Sequence, residues 1–146
     1  MIRPDIIEPL LGKPYWLIDV LPKQVPAGSA GQYFNAERYF LSRLDEISRK
    51  FARVLIRLNC YYDLQVGTDG ETWILNESPE DLTRRFEESA ASHSPLSVLI
   101  ESEDVLITFS GDDHYMTLYN PGEELLELVC QCAQAEGFFV WGPKQP

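Results

Sequence analysis

Residues 110 to 126, SGDDHYMTLYNPGEELL, put Asp112, Asp113, His114 and Tyr115 on consecutive positions, with Glu123 and Glu124 just beyond. Carboxylates beside an imidazole are the raw material of a metal centre or of general acid–base catalysis. A metal centre needs a third or fourth ligand at a recognisable spacing, such as His-x-x-x-His. The chain has only two histidines, His93 and His114, and no such spacing. The polar residues also fall between two strand-like runs, where a hairpin needs turn-tolerant side chains. Glu123 and Glu124 suit a first helical turn, where acids favour the exposed amides and the helix dipole. The stretch therefore reads as a polar turn followed by a helix start, with no metal ligand and no catalytic residue assigned.

Other chemistries find less support. No Gly-x-Ser-x-Gly elbow and no reactive-cysteine signature is present. No glycine-rich phosphate cradle of the GxxxxGK or GxGxxG type is present either, so no cofactor is implied. Cys60, Cys130 and Cys132 cannot close a disulfide framework. Two residues apart on a helix, Cys130 and Cys132 point about 200° away from each other and cannot share a metal. They read as reduced thiols. A pocket combining Cys60, His93 or His114 with a carboxylate is the one enzymatic alternative.

These residues must be positioned by elements that local patterns suggest. Residues 4–11 allow one or two helical turns, stopped by Gly12 and Pro14. Tyr15 to Leu21 (YWLIDVL) reads as a strand, and PKQVPAGSAG, 22–31, as a loop. Phe40, Leu44, Ile47, Phe51, Val54, Leu55 and Leu58 recur at helical spacing, with a break expected near Ser42. Arg49, Lys50, Arg53 and Arg57 form a basic ridge opposite that stripe.

Cys60 to Val66 alternates as a strand, with Tyr61, Asp63 and Gln65 on one face. GTDGE then turns into TWIL, a hairpin. Ser78-Pro79-Glu80-Asp81 opens a helix with a cap, an N1 proline and an acid three residues on. Leu96–Glu101, Val105–Phe109 and Tyr115–Tyr119 form an antiparallel meander. Asn120-Pro121-Gly122-Glu123 repeats the capping device, Gly137 ends that helix, and GFFVWGP supplies a last strand. One α+β domain over residues 1–146 is expected, a mainly antiparallel sheet carrying three or four helices.

The 146 residues carry 12 Lys and Arg against 23 Asp and Glu, a net charge of −11. The imbalance is lopsided. Residues 1–58 hold nine bases and six acids, whereas residues 59–146 hold three bases and seventeen acids. Such a surface repels phosphate backbones and favours capture of a basic macromolecule. No apolar run approaches the roughly 18 residues of a membrane span, and the proline- and acid-bearing start lacks a signal-peptide core. A cytoplasmic protein is expected.

The phrases KPYWLIDVLPKQVPAGSAGQYF, LNCYYDLQV and YMTLYNPGEELLELV with AEGFFVW resemble a group of small bacterial proteins of unassigned function. That resemblance implies no functional residue. In size and charge the chain is also similar to immunity proteins that neutralise toxins. The expected function is non-enzymatic: an acidic binding domain, immunity- or antitoxin-like, that covers a basic partner. Asp63, Asp69, Glu71, Glu101, Glu103, Asp104, Asp112 and Asp113 are its candidate rim, with Tyr61 and Trp73 as aromatic anchors. An assembly subunit docking through the basic ridge is a further alternative.

Overall fold

A computed structural model describes residues 4–67 and 72–142. In chain order these form α1 (Pro4–Leu11), β1 (Tyr15–Asp19), α2 (Ala30–Leu41), α3 (Leu44–Leu58), β2 (Gln65–Gly67), β3 (Trp73–Leu75) and α4 (Pro79–Ser92). Then come β4 (Leu96–Ile100), β5 (Val105–Phe109), β6 (Tyr115–Tyr119), α5 (Glu123–Gln134) and β7 (Phe139–Trp141). The strands make one antiparallel sheet in the order β3-β2-β4-β5-β6-β1-β7. The α+β class is as expected. No helix among the described residues is long and apolar enough to cross a membrane.

Local chemistry explains most elements. The apolar stripe of α3 is buried from Leu44 to Leu58, with Phe51, Val54, Leu55 and Leu58 fully enclosed. The helix breaks at Ser42–Arg43, where the residue-42 amide folds back onto the carbonyls of α2. At the start of α4 the Ser78 hydroxyl accepts from the Asp81 amide at 3.2 Å, with Pro79 at the first position. Phe51 stacks on Phe138 at 4.6 Å, and Phe109 lies 5.4 Å from both Phe51 and Phe86. These four rings tie α3, α4, β5 and the approach to β7 into one core.

Two expectations are corrected. Cys60 to Val66 is not a strand throughout. The amides of Asn59 to Tyr62 bond back to carbonyls between Leu55 and Leu58, so residues 59–62 finish α3 and pairing begins only at Gln65. Helical hydrogen bonds override the alternation. Asn120 does not cap α5 either. It takes a left-handed φ of 64° and donates its side-chain amide to the Asp104 carbonyl, while Gly122 holds the cap position without a side-chain bond.

The two faces of the sheet are covered differently. Ile18, Met116 and Leu118 belong to the main core with α3, α4 and α5. Alternation therefore turns Leu17, Asp19, Tyr115 and Thr117 to the opposite face, together with Phe139 and Trp141, their register partners on β7. On that second face α1 buries Leu10 against Leu99 and Leu106, with Trp73 and Tyr119 alongside. The segment after β1 covers the other side, and a space remains beneath it.

Gly111 sets the path of the β5–β6 turn. Its φ is +88°, and a Cβ there would collide with the carbonyl oxygens of Ser89 and Ser94 at the end of α4. Gly111→Ala is expected to cost about 2 kcal/mol or more, from the left-handed backbone plus the clash. Urea unfolding measures it, as a lower midpoint with an unchanged slope.

Candidate functional site

Asp19, at the end of β1, and His114, just before β6, are the most deeply buried acid and base among the described residues, each 3% exposed. The adjacent strands β1 and β6 bring them together across 95 positions of sequence. His114 Nδ1 lies 2.9 Å from Asp19 Oδ1. The other ring nitrogen faces α2, with Nε2 3.3 Å from the Tyr33 hydroxyl and 3.8 Å from Glu37 Oε2. Tyr33 in turn donates to Glu37 Oε2 at 3.0 Å. Asp19, His114, Tyr33 and Glu37 thus form one connected chain from the sheet to α2. The helix has no buried residue of its own, and this chain ties it to the sheet beside the packing of Phe40 and Leu41 on the core.

The electrostatics follow from that chain. Burial alone would push the His114 imidazole down. The hydrogen bond and charge of Asp19, helped by Glu37, outweigh burial and hold its pKa above the ordinary 6.5. Tyr33 is pushed up to about 12, first by burial and then by the bond to and charge of Glu37. Burial also raises the Tyr115 hydroxyl, with Asp113 and Asp19 adding to it. The His114 ring is thereby biased toward its protonated form, and the phenols of Tyr33 and Tyr115 toward their neutral forms.

Beside the chain lies a cavity of about 360 Å³. Its floor is Leu17, Asp19 and Trp141 of the second sheet face, with His114 and Tyr115 at one side. Residues 21–30 and Tyr33 form its roof. Apart from Asp19, His114 and Lys23 the walls are uncharged and mostly apolar.

Local sequence pattern does not reveal this site. His114 does not belong to an exposed polar tip, although its neighbours do: Asp112 and Asp113 accept from the Ser110 hydroxyl at 2.7 and 2.6 Å, as a turn requires. The available signal was Asp19, an acid inside the otherwise apolar YWLIDVL. Among the described residues, Cys60 does not join a histidine as the alternative enzymatic pocket would require. Cys60 is exposed at the end of α3, His93 is exposed as the left-handed cap of α4, and neither lines the cavity. Burial raises the thiols of Cys130 and Cys132, which suits inert residues.

The expected acidic rim is divided. Asp63, Glu101, Glu103 and Asp104 gather at one end of the sheet. Gln65 there donates to Glu101 at 2.7 Å, and Asn76 to Asp63 at 2.8 Å. Burial raises the nearby Tyr62 hydroxyl, and the charges of Glu103 and Glu124 raise it further. Asp112 and Asp113 sit at the other end of β5, about 17 Å away at strand rise. Asp69 and Glu71 lie outside the described residues. Tyr61 is 68% exposed at the acidic end. Trp73 is not an exposed anchor, because its ring packs over Gly67 with its indole N–H buried.

The basic ridge is consumed internally. Arg53 and Arg57 hold Glu136 at 2.8 and 2.5 Å, and Arg49 meets Glu87 at 3.3 Å. Burial raises Glu136, but the two arginines overcome it and hold its carboxyl below the ordinary range.

Comparison with family models, curated proteins and solved structures found no match for this chain.

Because the folded-state pKa of His114 is raised, its contribution to stability is complete below about 6.5 and is lost as pH rises through the folded value. Unfolding free energy is expected to fall as pH rises above about 6.5, and His114→Gln to flatten that slope. Urea titrations across the range would read both.

Proposed function

We propose that this chain is a non-enzymatic binding protein whose ligand is a small, mainly apolar molecule held in the cavity over β1 and β7. The observation that carries the reading is the buried Asp19–His114 pair on the wall of that cavity. A buried carboxylate–imidazole pair is a poor way to gain stability, since apolar side chains of similar volume often serve as well or better. Beside a cleft, such a pair is a candidate functional feature. The cavity lies within the usual size range of small-molecule sites and has their character, apolar walls with a few polar groups.

Binding fits the arrangement better than catalysis. Both nitrogens of His114 already have partners within the relay, and the Tyr33 hydroxyl is held by Glu37. None of the three cysteines lines the cavity. The polar groups brace one another and shape the wall.

A neutral apolar fluorophore, N-phenyl-1-naphthylamine, tests the proposal. One saturable site is expected, with Kd on the order of 0.1 mM or tighter. Ala30→Trp, at an exposed position of the cavity mouth, should abolish it without lowering the melting temperature. Binding that does not saturate, or that ignores Ala30→Trp, would rule the reading out.

A second reading is favoured by the clustering of Asp63, Glu101, Glu103 and Asp104 with Tyr61 at one end of the sheet: an immunity-like inhibitor that covers a basic protein. Acids of one sign around an exposed tyrosine steer and then anchor such a partner. Wild-type protein is expected to retain a basic partner from its own cells at low salt and to release it at ~0.5 M salt, where screening is severe. The triple variant Glu101→Lys, Glu103→Lys, Asp104→Lys should retain none. A partner indifferent to both changes would dismiss this reading.

A further inference from the structure

The cavity carries an uneven charge. Three charged side chains line it: Asp19, His114 and Lys23. Asp19 is spent on the His114 ring at 2.9 Å. Glu37, the other acid of the relay, lies outside the lining, in a shallow groove with Phe34, Arg38 and Leu41. That leaves Lys23. No described acid comes within ion-pair distance of its ammonium, although six other bases of this acidic chain are so paired. Cations without a partner are easily found on ordinary surfaces. What sets Lys23 apart is its place on the wall shared by this cavity and a neighbouring one of about 540 Å³.

Gln24 and Trp141 stand on the same shared wall. The Lys23 ammonium donates and cannot accept, so the group that satisfies it is an acceptor, and an anionic acceptor does so best.

Building on the proposed pocket, we infer that its natural ligand is an amphiphilic monoanion. Its apolar body lies over Leu17 beneath residues 21–30, and its carboxylate, or an oxyanion of like charge, meets Lys23. Long-range repulsion by the −11 chain slows such a ligand's approach but acts weakly over a Debye length of about 8 Å. The contact at Lys23 decides selectivity.

Three ligands with one apolar body and different heads test this by calorimetry: octanoate, 1-octanol and octylammonium. In wild-type protein octanoate is expected to bind about tenfold more tightly than octanol, the scale of a single charge-assisted contact, with octylammonium weakest. Lys23→Met, which keeps the aliphatic stem, should bring octanoate to within about threefold of octanol. If octanol or octylammonium equals octanoate in wild type, or Lys23→Met leaves the preference intact, the head-group assignment falls while the pocket stands. If none of the three binds at a site that Ala30→Trp closes, the pocket falls and this inference with it.

Discussion

A carboxylate and an imidazole withdrawn from water impose a demand that the rest of this molecule meets. Each group, when charged, gives up hydration worth several kcal/mol, and only close, directional contacts compensate. Asp19 and His114 supply one another at 2.9 Å, and Tyr33 with Glu37 closes the free side of the ring. Each link constrains an element. β1 must sit beside β6 in the register that sets Asp19 opposite Tyr115. The turn before β6 must bring His114 inward, which the left-handed backbone at Gly111 and its packing on α4 support. α2 must lie where Tyr33 reaches Nε2, although the helix buries no residue of its own.

The asymmetry of the sheet creates the opportunity for binding. One face is sealed by α3, α4 and α5 around a continuous core of four phenylalanine rings. The other is shared between α1 and the segment after β1, and two short covers leave a gap where two long ones would not. The cavity is thus the region where the second layer is thinnest, over the strands that carry Leu17, Asp19 and Trp141.

Elements governed by neighbouring residues were legible from sequence. The stripe of α3 follows from helical period, the start of α4 from serine and proline at fixed offsets, and the β4–β6 meander from alternating runs. Features set by distant residues were not. His114 and Asp112 look alike in a string of polar residues, yet one turns inward to a carboxylate 95 positions away and the other meets Ser110 two positions away. Cys60 to Val66 alternates convincingly, but the preceding helix still had carbonyls to satisfy, and it claimed the first residues of the run. The acid surplus of the later residues was correctly counted. Its division between two ends of β5 is a matter of topology, and a linear count of charges has none.

The place of β1 has a consequence for vectorial synthesis. This early strand is flanked by β6 and β7, whose register begins at Tyr115 and ends at Trp141. As the chain leaves the ribosome, Tyr15 to Asp19 wait without a lattice to join, and the carboxylate of Asp19 stays hydrated until its imidazole emerges. Contacts so remote in sequence form slowly. The cavity, walled by β1 and β7, therefore closes only after strands far apart in sequence have met.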